Sequence, residues 1–220
     1  MGISENLSVI RQRIAAACAR AGRRPEEVTA VAVTKTATVS EIREAFQSGI
    51  RHFGENRVQD AEEKLAGLMD IRPAFTFHMI GHLQSNKAAL AAKLFDVVES
   101  VDSVKLARLL NARVAGKLPV LIEVNVAGEV QKSGMKPEDV RGALVEISSL
   151  EHLRVDGLMT VAPAVSDPER TRPVFRQLRQ LRDVLGLRQL SMGMTEDFEI
   201  AVEEGATVVR LGRAIFGQAS

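Results

Sequence analysis

Eight short apolar runs, each followed by a segment with helical spacing, alternate along this 220-residue chain. The runs are residues 29–35, 51–54, 75–80, 94–100, 119–126, 153–159, 189–191 and 207–211. Most are rich in β-branched residues and bounded by turn signals, the pattern of strands buried on both faces. The segments between them carry helix caps and stops: Thr38 or Ser40 before Ile42, Ser103 before Leu106, Thr195 before a segment ending at Gly205, and Gly186 after Leu185. An additional helix precedes the series, starting at Ser4 and presenting Leu7, Ile10, Ile14, Ala17 and Ala21 on one face up to Gly22. Strict strand–helix alternation argues for a parallel sheet, and eight repeats argue for closure into a (β/α)₈ barrel. An open doubly wound sheet is the alternative. Against it, the first strand leads into Thr34-Lys35-Thr36 rather than a glycine-rich dinucleotide turn. No linker, repeat or low-complexity segment interrupts residues 1–220, which read as a single barrel domain.

Composition narrows the function classes. The formal net charge is +1, which gives no electrostatic case for nucleic acid or an anionic membrane. No run approaches the roughly 18 apolar residues that span a bilayer, and the first residues form no secretory signal. Cys18 is the one cysteine, so no internal disulfide forms, which fits a reducing cytoplasm. It lies in register with Leu7, Ile10 and Ile14, so packing explains it. Trp and Tyr are both absent.

In a parallel barrel every strand-to-helix loop faces one rim, where ligands bind. That rim collects Lys35, Asn56, His78, His82, Asn125, Lys132, Met159, the stretch Ser191-Met192-Gly193-Met194, and Arg210 to Ala214. Lys35 ends an apolar strand. Desolvation there lowers an amine's pKa and suits it to attack an aldehyde and form a Schiff base; otherwise it is a lysine that snorkels to water. The loops after strands seven and eight are the usual phosphate site of such barrels, and Gly193 and Gly212 permit close backbone approach there. Their plainer reading is a pair of ordinary turns. Arg210 shares a strand face with Val208 and Gly212 and needs an interior acceptor, Glu123 or Asp156 in the plain reading. His78 and His82 need not share a face, because a strand ends between them, and no metal site is expected. The arginines at 170, 172, 176, 179 and 182 read as a solvated helix face.

Several motifs together resemble one family: Ala32-Val-Thr-Lys35, His52-Phe-Gly-Glu-Asn56, His78-Met-Ile-Gly-His-Leu-Gln-Ser-Asn-Lys87, Lys132-Ser-Gly134, Gly157-Leu-Met159, Leu190-Ser-Met-Gly-Met194, Val209-Arg-Leu-Gly212 and Ala214-Ile-Phe-Gly217. They are similar to the pyridoxal 5′-phosphate homeostasis proteins, which share the barrel of the N-terminal domain of alanine racemase. The resemblance implies a Schiff base between Lys35 and pyridoxal 5′-phosphate. It implies a phosphate held by Ser191, Met192, Gly193, Gly212 and the N–H of Arg213. Arg210 would face the pyridine nitrogen, Asn56 would lie beside the ring, and His78 would line the site. Two positions depart from the family pattern. Arg213 stands where a Ser or Thr is common, and Phe77 stands where Trp is common.

The resemblance and the chemistry together favour a carrier over an enzyme. An arginine at the pyridine nitrogen keeps it unprotonated and weakens the electron sink. Racemisation needs a second acid/base group on the opposite face, which the related racemases take from a tyrosine of a further domain. This chain has no tyrosine. The expectation is a cytoplasmic, non-catalytic holder of the cofactor, monomeric, with apo-forms of pyridoxal-phosphate enzymes as partners. A racemase-like enzyme and a Schiff-base aldolase are the alternatives. Lys132 is a candidate second amine for handing the cofactor on, against the plainer reading of an exposed loop lysine.

Overall fold

A computed structural model describes residues 2–217. Eight strands close into a barrel in sequence order: β1 (Thr29–Val33), β2 (His52–Glu55), β3 (Thr76–Met79), β4 (Val97–Val101), β5 (Leu118–Glu123), β6 (Leu153–Met159), β7 (Gln189–Ser191) and β8 (Val208–Leu211). Every neighbouring pair is parallel, including β8 with β1. The expected (β/α)₈ barrel is therefore present. Its outer layer is α2 (Val39–Gln47), α3 (Val58–Ala66), α4 (Ala88–Leu94), α5 (Val104–Asn111), α6 (Val140–Ser148), α7 (Arg172–Leu185), α8 (Phe198–Glu203) and α9 (Arg213–Phe216). The additional helix α1 (Ile3–Arg20) packs on α2, α8 and α9, burying Leu7, Ile10, Ile14, Ala17 and Cys18.

Local chemistry fixes the element ends. Thr38 caps α2 in a reciprocal box: its hydroxyl accepts from Glu41 N–H at 3.3 Å, and Glu41 Oε2 accepts from Thr38 N–H at 2.7 Å. Ser103 caps α5 by accepting from Leu106 N–H at 3.2 Å. Gly186 ends α7 at φ +68°, a left-handed conformation that glycine adopts without steric cost. Phe77 stacks on Phe95 with ring centroids 4.9 Å apart, inside the hydrophobic core.

Some boundaries differ from the sequence reading. β1 stops at Val33, and Lys35 lies in the turn beyond it, because Thr34 bonds sideways to β2 and Ala37 N–H closes on Thr34 O at 2.9 Å. β4 starts at Val97; Leu94 is the last residue of α4. β5 ends at Glu123 rather than 126, since Asn125 folds the following loop, donating to Glu129 O at 2.8 Å and accepting from Glu129 N–H at 3.2 Å. α1 begins at Ile3, with Glu5 accepting from Gly2 N–H. Thr195 does not cap α8, which starts at Phe198; Thr195 Oγ1 accepts from Ala214 N–H in the first turn of α9 at 3.3 Å.

The arginines of α7 correct a further expectation. Arg172, Arg176 and Arg179 converge on Glu204, which is 4% exposed, and Arg172 also reaches Glu203 at 2.7 Å. They tie α7 to the end of α8 instead of forming a merely solvated face. One carboxylate with three guanidinium partners stays ionised even when buried, and its pKa is lowered despite burial.

Candidate functional site

Strand parity builds the site. On β2, His52 and Gly54 share the inward face; a Cβ on Gly54 would stand 2.8 Å from Val31 Cγ1 and 3.1 Å from Ile80 Cδ1, so those side chains also point inward. On β1 the inward row is Val31 and Val33, and Lys35 lies in the turn two residues beyond. On β8 it is Val208, Arg210 and Gly212, and a Cβ on Gly212 would meet Val33 at 3.5 Å. Lys35 therefore follows, two residues along the chain, the Val33 that abuts Gly212.

The turn carrying Lys35 is anchored from below. Thr34 N–H donates to Gly54 O at 2.9 Å, and its hydroxyl lies 2.9 Å from Glu55 Oε1. Lys64 on α3 donates to both Thr34 O and Glu55 Oε1 at 2.5 Å. Glu55 is fully buried and forms half of a structural ion pair. Lys35 itself is exposed, and its Nζ meets no hydrogen-bond or ion-pair partner among the described residues. The expected strand-end position is corrected: the side chain starts from the turn after β1.

Beneath the rim runs a polar chain across the barrel. His52 Nδ1 lies 3.0 Å from His78 Nε2, and His78 Nδ1 lies 2.7 Å from Glu99 Oε1. Glu99 Oε2 accepts from Ser191 Oγ at 2.5 Å. Ser191 in turn accepts from Arg210 Nη1 at 2.5 Å, and Arg210 Nη2 donates to Thr160 O at 2.8 Å. Burial pushes the Glu99 pKa up, but the His78, Arg210 and Ser191 contacts outweigh it and hold the carboxyl below its ordinary range. Burial pushes Arg210 down, opposed by Glu99, Glu123 and Asp197. The acceptors foreseen for Arg210 were Glu123 or Asp156. Its bonded acceptors are Ser191 and Thr160 O, with Glu99 at 4.0 Å, and Asp156 pairs with Arg154 at 2.6 Å.

The sequence-predicted residues fall at two levels. His78 and Ser191 are buried in the interior, and the Ser191 hydroxyl is already held between Glu99 and Arg210. Met192 and Gly193 form the buried turn after β7, and Gly193 O accepts from Arg210 N–H at 3.0 Å. Gly193 has φ +90°, and a Cβ there would stand 2.5 Å from Ala201 Cβ, so no other residue fits. The N–H groups of Gly193, Gly212 and Arg213 donate to no acceptor among the described residues. The Arg213 side chain turns away to pair with Glu196 at 3.1 Å on the surface. Asn56 is exposed beside a cleft of about 580 Å³ that Arg57, Gly81, His82 and Lys87 also line. His82 faces Asp102 at 3.2 Å and Ser133 at 3.1 Å, away from the partners of His78. Lys132 Nζ pairs with Glu129 and donates to Ala162 O at 3.1 Å.

Glu99 was absent from the sequence reading, and His52 entered it only within a motif. The signal was present: a single carboxylate inside the apolar run Val97-Val98-Glu99-Ser100-Val101 has to find a partner when both faces of the strand are covered.

The alanine racemase N-terminal domain family matches residues 6–220. The chain is 43% identical over 220 residues to the pyridoxal phosphate homeostasis protein of Pseudomonas aeruginosa, covering 98% of this chain and 95% of that one. It is 38% identical over 224 residues to the protein of the same name in Escherichia coli strain K12, covering 98% and 96%. PipY of Synechococcus elongatus, solved with PLP bound, superposes with a TM-score of 0.85 at 36% identity, covering 98% of this chain and 100% of that one. The alanine racemase of Corynebacterium glutamicum shares the fold, with a TM-score of 0.71 at 19% identity over 98% of this chain and 60% of the racemase. With near-complete coverage and this level of identity, the chain belongs to the pyridoxal phosphate homeostasis protein family, built on the alanine racemase N-terminal barrel.

Proposed function

We propose that this chain binds pyridoxal 5′-phosphate through Lys35 and holds it for intracellular homeostasis and delivery, without robust catalysis of its own. The observation that carries this reading is the closeness of two features: the turn that holds Lys35, whose amine meets no partner among the described residues and which follows the Val33 that abuts Gly212, and the glycine turns whose N–H groups are unengaged. The residues fit the group. An amine captures an aldehyde, backbone N–H groups at Gly193, Gly212 and Arg213 receive a phosphate, and the buried Arg210 lies in the interior layer below. The cofactor supplies an electrophilic aldehyde carbon on an electron-withdrawing ring.

Each residue has a task on this reading. Lys35 holds the ligand covalently. Gly193 and Gly212 let the backbone approach the phosphate. Arg210, fixed by two hydrogen bonds, places a permanent positive charge where a carboxylate would otherwise favour a protonated ring nitrogen, so carbanion chemistry is poorly supported. None of the 220 residues is a tyrosine that could serve as a second acid/base group. Asn56 borders the ring, and His78 acts from the interior layer by orienting Glu99. The whole of residues 1–220 acts as one cofactor-binding domain, monomeric and cytoplasmic, with apo-forms of pyridoxal-phosphate enzymes as recipients. Among the described residues no helix is long and apolar enough to cross a membrane.

The test is to mix the purified chain with pyridoxal 5′-phosphate, reduce with borohydride and map the modified peptide. The expected result is modification at Lys35, with transfer of unreduced cofactor to an apo-enzyme and no conversion of L- to D-alanine. Modification at another lysine, or efficient racemisation, would refute the reading.

A further inference from the structure

Glu123 is the last residue of β5. Its register partner on β6 is Met159, and the partner of Met159 on β7 is Ser191. Residues paired in register project to the same side of a sheet. Ser191 points into the barrel, since it bonds Glu99 and Arg210 there. Glu123 therefore projects inward as well, at the interior layer nearest the rim.

Its environment differs from that of Glu99. Glu123 is 8% exposed, and its Oε2 is a buried atom that meets no donor. The charged groups around it are already committed. Arg210 on β8 is bonded to Ser191 and Thr160 O, while Asp102 beyond β4 and His82 beyond β3 pair with each other. Glu99, one layer deeper, is occupied by His78 and Ser191. An unsatisfied buried oxygen costs about 1–3 kcal/mol and calls for an occupant that satisfies it.

We propose that Glu123 is a further ligand-binding residue, whose unpartnered carboxyl oxygen hydrogen-bonds a polar ring substituent of the ligand held in the barrel mouth. The inference rests on the reading of that ligand as pyridoxal 5′-phosphate, whose ring carries a hydroxyl and a nitrogen. Burial, with Asp102 adding to it and Arg210 and His82 opposing, raises the Glu123 pKa to about 7. Near neutrality the group is therefore available as an acid that donates or as an anion that accepts. Met159 fills the adjacent inward position of β6 with an apolar side chain, which leaves Glu123 as the polar contact on this wall.

The experiment loads the wild type, Glu123→Gln and Glu123→Ala with pyridoxal 5′-phosphate. It records the absorbance spectrum and the equilibrium affinity of each from pH 5.5 to 8.5. The wild-type spectrum is expected to titrate near neutrality. Glu123→Gln, which keeps the shape and cannot ionise, should lose that transition. Glu123→Ala should bind about fivefold to tenfold more weakly, the change that loss of one hydrogen bond produces. Wild-type spectra and affinities in both variants would overturn the contact while leaving the cofactor reading intact. A wild type that takes up no cofactor would overturn the reading, and the contact with it. Should Glu123→Ala fail to fold, the pH profile of Glu123→Gln decides by itself: a transition identical to the wild type refutes the proposal.

Discussion

Arg210 and Glu99 are 4.0 Å apart, and their link is a single hydroxyl: Ser191 Oγ accepts from the guanidinium and donates to the carboxylate, each at 2.5 Å. The direction of these bonds is fixed because the guanidinium can only donate and the carboxylate can only accept. A serine is therefore needed at this point, and alanine would leave a donor and an acceptor facing each other across a gap.

Glu99→Ala removes the anion that sits beside a fully enclosed guanidinium. It is expected to destabilise the protein by about 3–5 kcal/mol, the usual result of stripping one partner from a buried charge pair. Urea unfolding at pH 7 measures it. The pH dependence has a definite sign. The Glu99 pKa is lowered in the folded state, so its contribution is present above the ordinary carboxylate range and is lost as pH falls through the folded value. Glu99→Gln should show a shallower loss of stability below about pH 4 than the wild type. Equal slopes would mean that Glu99 is not the ionised member of the chain.

Glu123 shifts in the opposite direction, with a folded pKa of about 7. The unfolded carboxyl ionises first as pH rises, so the ligand-free protein loses stability between roughly pH 4.3 and 7 on account of this group. At about 1.4 kcal/mol for each tenfold change in ionisation, the penalty approaches roughly 4 kcal/mol above neutrality. Glu123→Gln should therefore be more stable than the wild type at pH 8 and no more stable at pH 4. Thermal melts at the two pH values compare them directly.

Lys35→Ala should abolish covalent retention of the cofactor and leave the melting transition almost unchanged. Its amine meets no partner among the described residues, and exposed substitutions of that kind shift stability by about 0.5 kcal/mol or less. A large drop in melting temperature would show that Lys35 has a structural contact.

Gly193→Ala combines two costs: φ +90°, and a Cβ 2.5 Å from Ala201 Cβ. It should destabilise by about 1–3 kcal/mol and weaken cofactor binding, because Gly193 O also positions the Arg210 backbone. Calorimetry and equilibrium binding report the two effects separately. Binding equal to wild type in a folded Gly193→Ala would detach this turn from the site.

The barrel was legible in the sequence because period and punctuation are local properties: each apolar run and each cap is written within a few residues. The placement of Lys35 and of Gly193 and Gly212 just beyond strand ends was legible for the same reason. The extent of β1 was not. Nothing in Val33-Thr34-Lys35 announces that Thr34 will bond sideways to Glu55 and Lys64, whose partnership depends on the packing of α3. The polar chain was hidden for a related reason. His52, His78, Glu99, Ser191 and Arg210 come from five different strands, and only barrel closure makes them neighbours. The α7 arginines looked solvated because Glu204, their shared anchor, lies on a different segment of the chain.

The anchoring of Lys64 on Glu55 and Thr34 bears on chemoselectivity. An aldehyde entering the mouth competes for amines, and any lysine with a free lone pair is a rival of Lys35. Lys64 is held by Glu55 and a backbone carbonyl, and Lys132 by Glu129 and Ala162 O. An amine engaged by a carboxylate and a carbonyl is less free to attack than one that meets no partner, so the contacts of the rivals favour reaction at Lys35. Glu129→Gln should then let a second lysine, Lys132, appear beside Lys35 after borohydride trapping.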